Sequence, residues 1–183
     1  MPKRSRDYLV WIDCEMTGLD PDRDVLIEIA TIITTYDLDV VERGPVFAIR
    51  QPSAKLRRMD AWNRRTHRKS GLLDRIRDEG VPLDEAERAT LRFVKRHCYA
   101  HTAPLCGNSI GQDKAFLRKY MPQLNDFLSY RVIDVSSVKL LVRAWYGGKY
   151  EAPPKRELHR ALDDIEESIA ELDYYRRTIF KQS

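Results

Sequence analysis

Two acidic residues, Asp13 and Glu15, stand two positions apart in the stretch WIDCEMTGLD. The residues before them, 8–12, form an apolar run typical of a central β-strand covered on both faces. Because side chains alternate along a strand, both carboxylates project from one face, roughly 6–7 Å apart. Like charges in such a place repel each other unless a cation lies between them, and hard divalent cations prefer oxygen ligands. The pair also fits a strand that ends at Asp13 and leaves both acids hydrated.

Asp113 is a third candidate, found from helical periodicity. On a helix that begins near Gly111, the residues three, four and seven positions after Asp113 share its face. These are Phe116, Leu117 and Tyr120. The pattern therefore places a carboxylate on the apolar stripe that meets the sheet. An acid in a first helical turn also stabilises the helix N-terminus, but that role does not require the apolar side, so we favour a functional role.

His159 and Asp164 are five residues apart, or about 140° around a regular helix, so they would not share a helical face. If both serve one site, His159 lies in a loop or first turn and Asp164 lies within the helix. Pro153 and Pro154 upstream are consistent with such a late helix start. Taken alone, the pair also fits a structural histidine and a first-turn acid.

The elements that must position these residues follow from the apolar pattern. Three strands come first, and the third is near an edge because it contains Gly44-Pro45. Helices and short strands then alternate, which predicts an α/β fold with a mixed sheet and helices on its faces. The predicted strands are 8–12, 25–36, 40–49, 104–106 and 130–135. The predicted helices are 83–99, 111–120, 136–145 and a last one spanning 162–179, with a linker-like loop at 147–154.

Composition limits the class of protein. The 183 residues, 33% charged and 43% hydrophobic, fit a single globular domain with one core. No apolar run approaches the ~20 residues of a membrane span, and the N-terminus lacks the pattern of a signal peptide. Three well-separated cysteines predict free thiols in a reducing cytoplasm, not a disulfide framework or a zinc site. A net charge of +4 leans weakly towards an anionic partner.

Several separate segments together resemble the oligoribonucleases, within the DEDDh 3′→5′ exonucleases. They are WIDCEMTGLD, LIEIA, CGNSIGQD, YRVIDVSS and HRALDDIEESIAELDYY, in the family's order. The resemblance implies a ribonuclease H-like fold, a five-stranded mixed sheet flanked by helices, in a single exonuclease domain over 1–183 with its core at about 8–175. It also implies two divalent metal ions, Mg²⁺ or Mn²⁺, a general base at His159, and four metal-binding carboxylates. Those are Asp13, Glu15, Asp113 and Asp164.

The implied chemistry agrees with the electrostatics of the acids. Converging carboxylates repel each other by about 4 kcal/mol at 4 Å and an effective dielectric of 20. Two divalent cations ~3.5–4 Å apart would offset that repulsion, activate a water and stabilise the leaving 3′-oxygen. A histidine with an ordinary pKa near 6.5 can accept the water's proton at neutral pH. The expected product is a nucleoside 5′-monophosphate.

The resemblance also implies substrate contacts. Leu19 and Trp62 would pack against the two bases of a very short RNA, and His67, in the same family-like stretch as Trp62, is predicted to bind substrate. Leu19 and Trp62 also fit ordinary core positions, and the surrounding bases of 55–77 also fit a solvated helix face. The 5′ phosphate would be surrounded by Ser109, Arg131 and Ser136.

Two further predictions concern the neighbourhood of that phosphate. By the same resemblance, Tyr130 would be a catalytic residue that arrives from the other subunit of a homodimer. Ser109 and Gln112 also fit a capping box, Ser-x-x-Gln, at the start of the Asp113 helix.

We therefore predict a cytoplasmic, homodimeric 3′→5′ exoribonuclease that degrades short oligoribonucleotides, in the limit dinucleotides. A DNA-proofreading exonuclease of the same class would share the catalytic residues, but the Trp62 and Tyr130-Arg131 motifs argue against it. A catalytically silent RNA-binding domain is the other alternative, and binding alone does not require four clustered acids.

Overall fold

A computed structural model describes residues 4–153 and 160–180 of the chain. Its centre is a five-stranded mixed sheet in the order β3-β2-β1-β4-β5. The first three strands are antiparallel neighbours, and β4 and β5 run parallel to β1. The predicted mixed α/β sheet is thus confirmed. The strands are β1 (Tyr8–Met16), β2 (Leu26–Thr35), β3 (Val40–Ala48), β4 (Leu105–Gly107) and β5 (Val132–Asp134).

Helices cover both faces of this sheet. They are α1 (Ser53–Leu56), α2 (Ala61–Lys69), α3 (Leu72–Asp78), α4 (Leu83–His97), α5 (Gly111–Tyr120), α6 (Pro122–Phe127), α7 (Val135–Tyr146) and α8 (Ala161–Thr178), with a 3₁₀ turn at Gly147–Tyr150. The basic segment 55–77 forms parts of three short helices, which alternation of apolar residues alone does not reveal. Gly71, at φ 78°, separates α2 from α3 in the left-handed conformation that glycine tolerates.

Alternation along β1 divides the core between the two faces. Val10 and Ile12 pack in the cluster that includes α4, α5 and α6, whereas Leu9 and Trp11 pack in the cluster that includes α7 and α8. A third cluster joins the start of β2 to α3 through side chains such as Ile27 and Ile76, with Leu56 of α1 packed against it. Because parity is preserved along a strand, the odd-numbered residues that follow Trp11 also face α8.

β1 is longer than the predicted strand 8–12. Its backbone stays paired with β2 from Tyr8 to Met16, and the antiparallel partner supplies hydrogen bonds where the sequence had already turned polar. Within 4–153 and 160–180, no helix combines the length and apolar character that crossing a membrane requires.

Candidate active site

Asp13 and Glu15 lie inside β1, on the face that α8 covers. In the register with β2 they stand opposite Ala30 and Glu28. The interpretation that the strand ends at Asp13 and leaves both acids hydrated is wrong, because the strand continues and only 17% of the Glu15 side chain is exposed. Two carboxylates are therefore held on one partly buried face, as the spacing predicted.

Asp164 joins this pair from α8. It is the fourth residue of the helix, and its amide hydrogen-bonds to the carbonyl of Arg160 at 3.0 Å. One carboxylate oxygen from each of Asp13, Glu15 and Asp164 lies within 4.8 Å of the others, a spacing at which these atoms could hold a metal ion. Oxygen donors of this kind suit hard divalent cations.

Asp113 approaches the same strand from α5. It is buried on the helix face that also carries Phe116 and Leu117, both fully buried, so the predicted apolar face is confirmed. Its Oδ1 accepts a hydrogen bond from the amide of Cys14, between the two β1 acids, at 3.0 Å. Among the described residues the group within 4.8 Å does not include Asp113, which stands beside it.

The electrostatics of this acid cluster are strongly perturbed. Burial, followed by the charges of Asp113, Glu15 and Asp164, raises the pKa of Asp13 well above its ordinary value. Burial and the same kind of repulsion raise the pKa of Glu15 to about 8. Burial also raises the pKa of Asp113 to about 7, although hydrogen bonds from the amides of Cys14 and Asp113 oppose the shift. A divalent cation would supply the positive charge that these carboxylates lack.

His159, the predicted general base, lies outside the described residues, which resume at Arg160. Its role stays a prediction.

The two residues predicted to pack against bases are both on the surface. Leu19 is 75% exposed and Trp62 is 53% exposed, so the alternative that they are core residues is wrong. Gln112 Nε2 donates a hydrogen bond to the carbonyl of Leu19 at 2.6 Å, which ties the Leu19 loop to the helix that carries Asp113. The capping box predicted for Gln112 is therefore absent, and α5 has no side-chain cap.

Unlike Leu19 and Trp62, His67 does not lie on the surface. It is buried in α2, with Nε2 3.0 Å from the carbonyl oxygen of Met16 and Nδ1 3.9 Å from Glu15 Oε2. The structure therefore gives His67 contacts that support the end of β1, while its predicted substrate contact stays a prediction.

Ser109 and Ser136 come together at the ends of β4 and β5. Their Oγ atoms are 3.2 Å apart, and Asp134 Oδ1 accepts hydrogen bonds from both amides at 2.9 Å. Ser109 has a positive φ of 50°, and these contacts hold it away from the capping position. Ser136 belongs to the first turn of α7, which the Asp134 carboxylate caps through this hydrogen bond from the Ser136 amide.

Arg131 and Tyr130 form the exposed rim beside these serines. The Arg131 guanidinium lies 4.6 Å from the centre of the Tyr130 ring, and Tyr130 is 77% exposed. Tyr130 is thus far from being a core residue of its own chain, an arrangement compatible with the predicted contact across a dimer.

Glu28 is a buried acid that sequence reasoning did not single out. One carboxylate oxygen pairs with Arg75 of α3, and the other accepts a hydrogen bond from the amide of Ala161, the first residue of α8, at 3.2 Å. It therefore joins β2 to the helices on two sides of the acid cluster. The signal that could have identified it is that Glu28 is the single charged residue in the strand sequence LIEIATIITT.

The fold and acidic site are those of an exonuclease, and the exonuclease family model RNase_T matches residues 10–172. The oligoribonuclease of Klebsiella pneumoniae is 50% identical over 177 residues, which make up 97% of this chain and 98% of the relative. That of Marinobacter nauticus is 51% identical over 175 residues, 96% of this chain and 97% of the relative. The chain belongs to the oligoribonuclease family. This membership confirms its predicted class, a hydrolytic exoribonuclease.

Solved structures of lower identity show the same fold. Exonuclease I of Methylocaldum szegediense superposes with a TM-score of 0.70 at 17% identity, covering 94% of this chain and 41% of that one. Escherichia coli exonuclease I in complex with a dA16 oligonucleotide gives a TM-score of 0.74 at 14% identity, with the same coverage of 94% and 41%. The chain thus spans about two-fifths of these longer proteins. The predicted ribonuclease H-like fold is confirmed.

Proposed function

We propose that this protein removes nucleotides from the 3′ end of short oligoribonucleotides, down to dinucleotides, and releases nucleoside 5′-monophosphates. The observation that carries the proposal is the convergence of Asp13, Glu15 and Asp164 within 4.8 Å, in a family of exoribonucleases. A cluster of partly buried acids has little use in a module that only binds RNA, whereas metal-assisted phosphodiester hydrolysis requires one.

The three converging carboxylates would hold divalent cations, and Asp113 beside them would complete the set. When bound, two ions such as Mg²⁺ or Mn²⁺ would lower the pKa of an attacking water and neutralise charge on the leaving 3′-oxygen. The raised pKa values of Glu15 and Asp113 support this assignment, because they show how poorly the acids are balanced by the protein alone. His159 would accept the proton of the water.

Two groups of residues would select short substrates, one that contacts the bases and one that contacts the 5′ phosphate. Leu19 and Trp62 present exposed apolar surface for two bases. In the second group, the hydroxyls of Ser109 and Ser136, 3.2 Å apart, and the guanidinium of Arg131 would surround a 5′ phosphate. A phosphate held there would limit the number of nucleotides between it and the acid cluster.

A homodimer is part of the proposal, with Tyr130 completing the site of the partner subunit. It is supported by an exposed apolar surface, the α7 face, which extends from Tyr130 along α7. Its members are Tyr130, Val132, Leu140, Leu141, Trp145 and Tyr146, all substantially exposed. Contiguous apolar surface of this kind commonly marks a protein interface. The three buried free cysteines support the proposed cytoplasmic location.

The test is a digestion time course with 5′-labelled RNAs of two, three, five and ten nucleotides. The dinucleotide is expected to be cleaved fastest, with a labelled mononucleotide as product. An Asp13→Asn variant, prepared in the same way, controls for contaminating nucleases. Equal or faster cleavage of the longest RNA, or of the corresponding DNA, would contradict the proposed selectivity and favour a proofreading type of exonuclease.

A further inference from the structure

A groove of about 630 Å³ lies between β3 and α4, outside the acid cluster. Its floor is apolar, formed by Pro45, Ala89 and the buried ring of Phe93. Gly44 permits this close packing, because a Cβ atom there would lie 2.6 Å from a carbon of the Phe93 ring. Both walls carry positive charge. The cationic side chains in the lining are Arg4, Arg43, Arg92, Lys95 and Arg96.

These charges are only partly neutralised. Arg43 pairs with Glu166 at 2.8 Å, and Arg96 pairs with Glu42, the single acid in the lining, at 3.0 Å. Arg4, Arg92 and Lys95 form no ion pair with any residue in the ranges that the structure describes. Three like charges around one groove repel each other, and an anion in the groove would relieve that repulsion.

The cationic side chains of the groove form an elongated array. Arg92, Lys95 and Arg96 share one face of α4, since they lie at i, i+3 and i+4, and they extend over ~6 Å of the helix. Arg43 belongs to β3, and Arg4 lies beyond the end of α4, with its guanidinium 6.0 Å from the centre of the Tyr99 ring. A cationic groove with an apolar floor suits single-stranded nucleic acid, whose backbone needs several cations and whose bases favour apolar surface.

The groove is separate from the acid cluster. One wall of the groove is α4, which packs with Val10 and Ile12 on one face of the sheet, whereas Asp13 and Glu15 lie on the face that α8 covers. A chain that occupies the groove therefore need not occupy the acid cluster.

We propose that the groove between β3 and α4 is a second binding site, which holds the phosphate backbone of single-stranded RNA without cleaving it. The short oligoribonucleotides proposed as substrates must come from the cleavage of longer RNA by other nucleases. A site of this kind would keep the enzyme close to the RNA from which its substrates are released. The binding itself does not depend on the proposed catalytic function.

The experiment uses a fluorescently labelled, covalently closed circular single-stranded RNA, which has no 3′ end to enter an exonuclease site. Its binding is followed by anisotropy over a range of salt concentrations. Arg92→Gln/Lys95→Gln is expected to weaken binding about 25-fold at about 0.1 M salt and to lower the salt slope by about 1.4, as expected for two lost contacts to single-stranded RNA. Cleavage of a dinucleotide should be unchanged.

The control variant is Arg176→Gln/Arg177→Gln, which removes the same charge from exposed positions on α8, outside the groove. It should bind the circle almost as tightly as the wild type. Three results would each overturn the proposal: no binding of the circle by the wild type, equal weakening in both variants, or a parallel loss of dinucleotide cleavage in Arg92→Gln/Lys95→Gln. Because dinucleotide cleavage is measured separately, failure here leaves the proposed catalytic function standing.

Discussion

At the scale of single residues, Asp13, Glu15 and Asp164 are held closer together than like charges would stay in water. The fold imposes this arrangement through parity along β1 and through the packing of α8 on the same face. The repulsion and burial of these acids raise the pKa values of Asp13 and Glu15, since a buried carboxyl without a positive neighbour keeps its proton. A cation beside these carboxyls would favour their charged forms and displace the protons.

The first prediction is that the metal-free protein loses stability as the pH rises. Glu15 and Asp113 have ordinary values of 4.5 and 3.8, but pKa values of about 8 and about 7 in the folded protein. Between the ordinary and the raised pKa values, the native state therefore binds more protons than the unfolded state. The stability that these two carboxyls contribute is fully present below their ordinary pKa values, and it is lost as the pH rises through their raised pKa values. Thermal melts from about pH 5 to about pH 9 should show Tm falling.

Two additions make this result specific to the acid cluster. Mg²⁺ or Mn²⁺ added near pH 8 should raise Tm, because a ligand of the native state stabilises it by mass action. A Glu15→Gln variant should show a weaker dependence of Tm on pH. A flat pH profile that metal does not change would argue against a cation site.

The second prediction concerns Asp113, which stands beside the group of three. Asp113→Asn should abolish turnover and weaken Mn²⁺ binding in calorimetry, yet leave Tm of the metal-free protein unchanged or higher. The fold should survive because the Asn oxygen can still accept the hydrogen bond from the amide of Cys14. Asp163→Asn is the matched control, since Asp163 is also a first-turn acid. Similar small effects of both changes would make Asp113 a helix-stabilising residue only.

The third prediction tests the exposed indole of Trp62. Trp62→Ala should weaken binding of a non-hydrolysable dinucleotide by roughly 5- to 150-fold, since a base stacked on an aromatic ring is worth about 1–3 kcal/mol. Trp62→Phe should recover part of the affinity. Tm should change little in either variant because Trp62 is half exposed. A strongly destabilised Trp62→Ala protein would show instead that the indole supports the fold.

Asp13, Glu15 and Asp113 were predictable from spacing, because strand parity and helical periodicity are local properties, whereas Asp164 was assigned only by the resemblance to the oligoribonucleases. The supporting residues were not predictable from spacing. His67, Gln112 and Glu28 act through partners that are distant in the sequence: Met16, Leu19 and Ala161. Such pairs depend on the register and on how helices pack, which no local pattern contains.

At the scale of elements, the five strands and the long helices follow from the apolar pattern, with ends that differ by a few residues. The main exception is the end of β1. Its last four residues stay in the sheet because they pair with β2, although their composition does not predict a strand. The short helices α1 to α3 were missed because each is under three turns and rich in Lys and Arg. Their few apolar anchors, such as Leu72 and Ile76, pack on the start of β2.

The fourth prediction is that Glu28 positions α8. Glu28→Gln keeps an oxygen for the amide of Ala161 but loses the charged pairing with Arg75. A small displacement of α8 would move Asp164, and a 1 Å misplacement can cost about 100-fold in rate. We therefore expect kcat to fall by up to about 100-fold, with a smaller change in KM and a modest change in Tm.

The control for this change is Glu79→Gln, which removes the exposed carboxylate that also lies near Arg75, at 3.9 Å. It should leave kcat unchanged. If Glu28→Gln lowers Tm but retains wild-type kcat at a temperature where it is folded, Glu28 serves stability alone.

At the scale of the whole molecule, the α7 face is an exposed apolar surface that the packing of one chain does not explain. Aromatic and aliphatic side chains on a short strand and the following helix read in sequence like ordinary core residues. Their exposure becomes visible only when the packing of α7 on the sheet is known, with Val135 and Val142 turned inwards. Sequence pattern could therefore not separate a core face from an interface here.

The last prediction is that Tyr130 acts across a two-fold interface. Tyr130→Ala and Asp13→Asn homodimers should each be nearly inactive, one because every site lacks the tyrosine and the other because every site lacks an acid. The two proteins are then unfolded and refolded together in equal amounts. In a mixed dimer, one site combines intact acids from the first chain with an intact Tyr130 from the second. Random pairing should return roughly a quarter of wild-type activity.

Native mass spectrometry must show that mixed dimers have formed, because unpaired or segregated chains would give no recovery for a trivial reason. A mixture of Asp13→Asn with Asp164→Asn is the matched control. Both of those lesions lie in the acids of one chain, so every site in that mixed dimer keeps one of them and no activity should return. Recovery near zero in the Tyr130 mixture, with mixed dimers present, would place Tyr130 in the site of its own chain. Recovery in the Tyr130 mixture alone requires that the two subunits share each site.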